Sequence, residues 1–107
     1  MSPVMQKNNS FKSYDMKTFN WDTEKNLKLK AERGISFEEV LLCIENGQVV
    51  DILEHPNQPQ YAGQRLYVII INEYAYIVPF VDQGDERFLK TIFPIRKYTK
   101  MYLQKEV

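Results

Sequence analysis

The segment FLKTIFPIRKYTK (88–100) gathers the side chains of this sequence that are best suited to chemistry. Its basic residues are Lys90, Arg96, Lys97 and Lys100. Arg96 comes soon after Pro94, and its planar guanidinium group suits a bidentate contact with a phosphate. The same residue also fits an exposed position with no ligand. The pattern therefore indicates either a phosphate-binding surface or an ordinary solvated one.

Arg65 is the only Lys or Arg among residues 35–86, which contain nine Asp and Glu residues. It opens a predicted strand shortly after Gly63, and an isolated arginine in acidic surroundings requires a partner. It fits a salt bridge with Asp51 or Glu54 as well as it fits a phosphate. On the residues alone, both interpretations stay open.

His55 and Lys25 are two further candidates. His55 lies in EHPNQP, where prolines restrict the backbone, and its ring suits either a general base or a structural role in the loop, which is favoured. Lys25 lies in the first turn of a predicted helix, where a positive charge opposes the helix dipole. Because stability does not favour a lysine there, its position hints at function.

Several kinds of site are excluded by composition. The chain contains one histidine and one cysteine, Cys43, so it offers neither an intrachain disulfide nor a zinc site built from several Cys and His residues. In EEVLLCIENG, Cys43 is predicted to be a buried, unreactive thiol. The sequence has no Gly-rich phosphate loop and no nucleophile elbow. We therefore expect no metal and no cofactor.

The net charge is zero, but the charges are unevenly distributed. Residues 1–34 and 87–107 are basic, whereas residues 35–86 are acidic. If the fold brings the two ends together, they form one positive face suited to phosphates. If the segments mix in three dimensions, they form ordinary solvated surfaces.

Length and composition predict one soluble domain. A chain of 107 residues with 44% hydrophobic content can bury one compact core. No apolar run approaches the roughly 20 residues of a membrane helix, so we expect a cytoplasmic protein without a membrane partner. Residues 1–16 lack periodicity and are predicted to be a flexible extension, followed by a single domain over residues 17–107.

The first half of this domain predicts a helical hairpin. Residues 17–21 form a candidate strand, after which Asp22 caps a helix that stops at Gly34. Ser36 and Glu39 form a capping box at the start of a second helix. Because only a short connection separates the helices, they are expected to be neighbours.

The second half predicts a meandering antiparallel sheet and a closing helix. The candidate strands are QVVDILE (48–54), QRLYVIII (64–71), YAYIVPFV (74–81) and RFLKTIF (87–93). Pro79 predicts an edge or a bulge, and Pro94 ends the last strand before a helix over IRKYTKMYLQK (95–105). The expected fold is α+β, with helices on one side of an antiparallel sheet of four to five strands.

Four segments together resemble the BrnT-like toxins of bacterial type II toxin-antitoxin systems. The segments are FNWDTEKN (19–26), ERGISFEEV (32–40), GQRLYVI (63–69) and IRKYTKMYL (95–103), and the resemblance covers about residues 17–104. It implies a RelE-like fold, with a helical hairpin beside an antiparallel sheet. It also implies a metal-independent ribonuclease that stops translation and is neutralised by a neighbouring DNA-binding antitoxin, with which it would form a hetero-oligomer.

The resemblance also implies which residues form the site. The family's lysine and asparagine fall on Lys25 and Asn26, its two arginines on Arg65 and Arg96, and its helix tyrosine on Tyr102. In two places the chain departs from the family, since Arg33 stands where many relatives have a histidine and FPIR replaces the more usual SAR.

RNA cleavage by the neighbouring 2′-hydroxyl develops negative charge on a pentavalent phosphorane, which fixed cations stabilise. The expected catalytic set is thus Arg65 and Arg96 on the phosphate, Lys25 assisting, and Tyr102 or His55 transferring the leaving-group proton. Four further basic residues are expected to bind RNA, namely Arg33, Lys90, Lys97 and Lys100. The alternative from a different class is an inactive toxin relative that binds RNA or protein without chemistry.

Overall fold

The computed structural model describes residues 17–103, so the predicted flexible extension lies outside the described residues. The elements in chain order are β1 (Thr18–Asn20), α1 (Thr23–Arg33), α2 (Phe37–Glu45), β2 (Val49–Glu54), β3 (Arg65–Ile71), β4 (Tyr74–Gln83), β5 (Glu86–Leu89), β6 (Phe93–Pro94) and α3 (Arg96–Leu103). The α+β class is confirmed. None of the helices in this part of the chain is long and apolar enough to cross a membrane.

Helix α1 has the ends that its sequence predicts. The Asp22 carboxylate accepts hydrogen bonds from the backbone N–H groups of Glu24 and Lys25, at 2.9 and 3.3 Å, and so satisfies two of the donors that a helix N-terminus leaves unpaired. Gly34 ends the helix at φ 65°, a conformation that glycine adopts without steric cost.

A buried asparagine joins α1 to α2. Asn26 is only 4% exposed, and its Oδ1 accepts a hydrogen bond of 2.8 Å from the backbone N–H of Phe37, the first residue of α2. Its Nδ2 donates to Glu38 at 2.9 Å, a contact that lowers the pKa of this carboxyl. The predicted capping box of Ser36 and Glu39 is also present. The start of α2 is therefore held both by its own residues and by α1.

The sheet differs from the predicted antiparallel meander of four to five strands. It has six strands in the order β1-β5-β4-β3-β2, with β6 paired to β4. One added strand arises because the predicted strand 87–93 divides into β5 and β6. The other difference is that β1 joins the edge of the sheet parallel to β5, with Thr18 opposite Glu86, which makes the sheet mixed. Strand β1 itself lies within the candidate strand predicted at residues 17–21, ahead of the two helices.

Pro79 lies in β4, a central strand of the sheet, so the predicted sheet edge at this residue is wrong. The alternative prediction, an irregularity in the strand pairing, describes the structure better. Strand β5 pairs with β4 as far as Leu89, opposite Phe80, and β6 resumes pairing at Phe93, opposite Ile77. Between them, the Pro79 carbonyl accepts a hydrogen bond of 2.8 Å from the backbone N–H of Lys90. Since the N and O atoms of one residue in an antiparallel strand face the same neighbour, the missing N–H of Pro79 points into this gap.

Helices pack on both faces of the sheet, not on one as predicted. Leu29 of α1 and Phe37 and Val40 of α2 form a buried cluster with alternate sheet residues, including Tyr67 and Phe80, and we call this side the hairpin face. Helix α3 packs on the other side, which we call the α3 face. There the Thr99 hydroxyl accepts a hydrogen bond of 2.8 Å from the Ala75 backbone N–H.

We predict that Asn26→Ala lowers the free energy of unfolding by about 2 kcal/mol, because it leaves the buried N–H of Phe37 without an acceptor. Urea unfolding followed by the fluorescence of Trp21, the single tryptophan, which stacks on Phe37, would measure the loss. The control is Lys28→Ala at an exposed position of the same helix, which should change the stability by less than about 0.5 kcal/mol. Equal stability of the two variants would contradict a structural role for Asn26.

Candidate functional site

A cleft of about 750 Å³ opens on the α3 face, between the loop that follows β2 and the start of α3. We call it the α3 cleft. Its floor is apolar and is supplied by three strands, through Leu53, Leu66, Ile77 and Pro79. Its size and apolar floor are those of a typical ligand pocket.

The rim of the α3 cleft is polar and aromatic. Its members are Glu54, His55, Tyr61, Gln64, Lys90, Thr91 and Tyr98. The Glu54 side chain projects to the hairpin face, because Glu54 lies directly opposite Arg65. Within residues 17–103, the side chains of Gln64, Lys90 and Thr91 make no hydrogen bond and no salt bridge. Polar groups without intramolecular partners are thus collected around an apolar floor.

His55 is held by its own loop. Its Nδ1 accepts a hydrogen bond of 3.0 Å from the backbone N–H of Asn57, and its ring stacks on Tyr61 with centroids 4.2 Å apart. The Gln58 side chain donates to the carbonyls of His55 and Gln64 and so closes the loop. Because Nδ1 is an acceptor here, the neutral ring carries its proton on Nε2 and has no free basic nitrogen. This arrangement favours the structural role over the general base.

Three cations lie on the exposed side of α3, beside the cleft. This α3 basic surface consists of Arg96, Lys97 and Lys100. The Lys97 amine lies 5.5 Å from the ring centroid of Tyr98, which lines the cleft. In the part of the chain that the structure describes, no salt bridge involves these three residues or Lys90. Their charge is therefore available to an anionic ligand.

Arg65 and Arg96 do not converge on one phosphate. Arg65 pairs with Phe80 and lies on the hairpin face, whereas α3 lies on the opposite face. The residue before Arg96 is anchored to β4 through the carbonyl of Ala75. Phe80 is five positions after Ala75, which corresponds to about 17 Å along a strand. Lys25 belongs to α1, and thus also to the hairpin side.

Asp82 is the partner of Arg65, instead of the predicted Asp51 or Glu54. Arg65 is about 40% exposed and contacts Asp82 at 3.3 Å, with its guanidinium 5.1 Å from the centroid of the Phe80 ring. Glu54 lies opposite Arg65 in the β2–β3 ladder, but the two side chains form no salt bridge. Arg65 therefore forms a salt bridge, as one of the two interpretations predicted, but its partner is Asp82.

Asp82 also binds Arg87 and Lys17. Arg87 donates to both carboxylate oxygens of Asp82, at 2.6 and 2.8 Å, and to the Tyr67 hydroxyl at 2.7 Å, while Lys17 lies 3.7 Å from the carboxylate. The hydrogen bonds from Arg87, and the charges of Arg87, Lys17 and Arg65, hold the pKa of Asp82 below its usual range. The hydrogen bonds with Asp82 and then with Tyr67 raise the pKa of Arg87. The group is an ion-pair cluster that joins β3, β4 and β5 to Lys17, the residue before β1.

Two other expected site residues are engaged in structural contacts. The Arg33 Nη1 donates to the carbonyl of Ile92 at 2.6 Å and holds the segment between β5 and β6. The Tyr102 hydroxyl donates to Asp51 at 3.0 Å, and burial together with this carboxylate raises the pKa of Tyr102. Neither side chain lines the α3 cleft.

The cysteine behaves as its sequence context predicts. Cys43 is buried in the core against the sheet, and burial, followed by the charge of Glu39, raises the pKa of its thiol. A raised thiol pKa lowers the thiolate fraction and thus the reactivity. Among residues 17–103, no group of three or more His, Cys, Asp or Glu side chains is arranged to hold a metal ion.

The sequence interpretation missed the ion-pair cluster and the polar rim of the cleft. A signal for the cluster was present, since Gly84 marks a two-residue turn and Asp82 and Arg87 are placed symmetrically about it. The rim residues Gln64 and Thr91 gave no comparable signal, because single polar residues at strand ends are common and the cleft joins segments far apart in the chain.

Comparison with known proteins identifies no relative. The sequence matches no family model, and neither a curated protein nor a solved structure is significantly similar to it. The site must therefore be interpreted from its own geometry.

We predict that Asp82→Asn lowers the free energy of unfolding at pH 7 by about 2 kcal/mol, because it weakens the charged hydrogen bonds from Arg87. Since the folded pKa of Asp82 is lowered, its stabilisation is complete above the ordinary Asp value of about 4 and is lost as the pH falls through the lowered value. Urea titrations at several pH values should show the wild type and variant converging in acid.

The matched control is Asp85→Asn, an exposed carboxylate in the turn between β4 and β5. It should alter the free energy of unfolding by less than about 0.5 kcal/mol at every pH tested. If the free energies of unfolding of wild type and Asp82→Asn differed by the same amount at every pH, including the most acidic, the charge of Asp82 would not be what stabilises the cluster.

Proposed function

We propose that the protein is the toxin of a type II toxin-antitoxin pair and that it acts on RNA through the α3 basic surface and the α3 cleft. The observation that carries this proposal is the position of Lys90 on the rim of the cleft and of Arg96, Lys97 and Lys100 on the exposed side of α3, the helix that also supplies Tyr98 to the cleft. None of these four cations forms a salt bridge with the described residues. Clustered cations beside aromatic side chains are the usual basis for binding single-stranded nucleic acid.

The location of the cations supports RNA binding on the α3 face over the hairpin face. On the hairpin face, Arg65, Arg87 and Lys17 share the carboxylate of Asp82. On the α3 face, no carboxylate of residues 17–103 lies within salt-bridge distance of Lys90 or the α3 cations. A phosphate that binds there does not have to displace an acidic side chain.

The resemblance implies a ribonuclease that needs no metal, and the α3 face offers part of what such an enzyme requires. Arg96 and Lys90 are suited to stabilise charge on a phosphorane bound at the mouth of the cleft. The groups assigned to the hairpin side, Lys25 and Arg65, would not contact that phosphate. In this proposal Arg96 keeps its role, and the other cationic contact moves from Arg65 to Lys90.

The second candidate is an RNA-binding module without catalytic activity, and the geometry of His55 favours it. RNA cleavage needs a group that accepts the proton of the 2′-hydroxyl. The Nδ1 of His55 already accepts a backbone hydrogen bond, and Tyr102 donates to Asp51 outside the cleft. A protein with this arrangement would inhibit translation by occupying RNA and not by cutting it.

The proposed partner is a DNA-binding antitoxin that covers the α3 basic surface. Burial of the same cations by an acidic or amphipathic segment is the simplest way to prevent RNA binding, because the two ligands then compete for one surface. An antitoxin that left Arg96 and Lys90 accessible in the complex would contradict this mode of neutralisation.

We predict that induced expression in a bacterium stops growth, and that Arg96→Ala restores growth while Arg65→Ala does not. Arg96 is exposed, so its loss should change stability by at most about 1 kcal/mol, and thermal unfolding of the purified variants would confirm that both are folded. The integrity of cellular RNA, followed over the same period, distinguishes cleavage from binding alone.

Lys28→Ala is the control, because it removes an exposed lysine from α1, on the hairpin side of the sheet. It should remain as toxic as the wild type. Normal growth with abundant wild-type protein would refute the toxin proposal. If Arg65→Ala restored growth and Arg96→Ala did not, the RNA site would have to be assigned to the hairpin face.

A further inference from the structure

We infer that the α3 cleft binds a small apolar monocarboxylate, such as a medium-chain fatty acid, which competes with RNA for Lys90. The binding site rests on the geometry of the cleft alone. The competition rests in addition on the proposed RNA-directed function and gives that function a regulatory ligand.

The floor of the cleft specifies the apolar part of the ligand. It is one aliphatic surface across three strands, since Leu53 lies opposite Leu66, and Leu66 lies opposite Pro79. Ile77 extends this surface along β4, and Ile95, the residue before α3, adds a side wall. A volume of about 750 Å³ lies in the range of pockets that bury most of a small organic ligand. An aliphatic chain in this cleft would exchange water for apolar contacts along its length.

The charges around the cleft specify the other part of the ligand. Lys90 lies on the rim, its amine is 5.7 Å from the ring centroid of Phe88, and it forms no salt bridge with the described residues. Glu54, the acidic residue beside the cleft, directs its carboxylate to the hairpin face. With His55 neutral, the described side chains of the cleft carry one positive charge and no negative one. A ligand with a single anionic head group complements this distribution.

Hydrogen-bond donors beside Lys90 fit a carboxylate in particular. The Thr91 hydroxyl and the Gln64 amide lie on the same rim and can donate. The backbone N–H of Thr91 lies in the break between β5 and β6 and has no acceptor in the part of the chain that the structure describes. An ionised carboxylate only accepts hydrogen bonds, at about four lone-pair sites, so its two oxygens can satisfy several of these donors together.

The same donors disfavour the apolar side of a partner helix as the occupant. Aliphatic side chains would cover Thr91 and Gln64 without offering them an acceptor, and the ammonium group of Lys90 would lose water without gaining a counter-ion. A fatty acid covers the floor equally well and brings the acceptor with it. The cleft therefore favours a small anionic amphiphile.

Such a ligand would regulate RNA binding because both need the same cation. A carboxylate paired with Lys90 neutralises one of the four cations that the proposed function assigns to RNA. The α3 basic surface of Arg96, Lys97 and Lys100 keeps its charge. The ligand should thus weaken RNA binding by the contribution of one phosphate contact.

The first test measures binding of decanoate to the full chain, at concentrations below those at which it forms micelles. His55 is the single histidine of the chain and lines the cleft, so the ¹H–¹³C signals of its ring report occupancy. Three comparison probes separate the contributions. Octanoate shortens the apolar chain, decanol removes the charge, and decylammonium reverses it.

We predict that decanoate shifts the His55 signals and binds about tenfold more tightly than octanoate, because two further methylene groups are buried. Decanol should bind about tenfold more weakly than decanoate, since it lacks the charged hydrogen bonds. Decylammonium should bind more weakly still, because Lys90 repels it. Equal affinities for decanoate and decylammonium would overturn the anionic head group, and unmoved His55 signals would overturn the pocket.

Variants of Lys90 test the head group directly. Lys90→Gln should weaken decanoate about tenfold and leave decanol unchanged, whereas Lys90→Arg keeps the charge and should retain decanoate binding. The control Lys28→Gln makes the same charge change on exposed α1 and should leave decanoate binding unchanged. A loss of decanol binding as large as the loss of decanoate binding would show that Lys90 supports the shape of the cleft and does not hold the head group.

The second test measures competition with a fluorescent 2′-O-methyl uridine hexamer, which lacks the attacking hydroxyl and stays intact. Anisotropy titrations over a series of salt concentrations give the slope of log affinity against log salt. Saturating decanoate should weaken hexamer binding and lower the magnitude of this slope by about 0.7, the value for one phosphate contact with a single strand. Lys90→Gln should have the same effect, and decanoate should not weaken that variant further.

The unfavourable outcomes are distinct. Hexamer binding together with His55 signals that decanoate does not move would overturn this inference and leave the proposed function standing. Decanoate in the cleft without hexamer binding at low salt would overturn the proposed function and the competition, but not the carboxylate site. If both ligands bound without affecting each other, the competition would be refuted. His55 signals that move with an acidic amphipathic peptide, but with no fatty acid, would assign the cleft to a protein segment.

Discussion

The missing backbone donor of Pro79 is the constraint on which the α3 face depends. A central strand normally pairs along both sides, but Pro79 offers β5 only its carbonyl, which Lys90 uses. The chain therefore leaves the ladder after Leu89 and returns to it at Phe93. This excursion places Lys90 and Thr91 on the rim of the cleft and leaves Pro79 in its floor.

The segment between β5 and β6 is held in place by both the side chain and the backbone of Ile92. The side chain of Ile92 is fully buried in the core of the hairpin face, and its carbonyl accepts a hydrogen bond from Arg33 at the end of α1. Without such partners, a segment that leaves a sheet would expose apolar area and bury unpaired backbone groups. Arg33, expected to bind RNA, thus positions the site from the opposite face of the sheet.

Local signals were sufficient to predict much of this fold, and long-range pairings were not. Asp22 and Ser36 locate the starts of α1 and α2 because a helix cap is a contact between residues two or three apart. The parallel pairing of Thr18 with Glu86 has no such local cause, since it joins segments from opposite ends of the domain. The break at residues 90–92 was equally hidden, because its cause lies in Pro79 on another strand.

The distribution of charge explains how a chain without net charge presents a basic surface. The described acidic residues of the middle segment are bound in part to partners outside the α3 basic surface: Asp82 to three cations, Asp51 to Tyr102 and Glu39 to the cap of α2. Carboxylates bound in this way do not reach the cations of α3. Lys90, Arg96, Lys97 and Lys100 therefore keep their charge on the surface, which a zero net charge alone would not indicate.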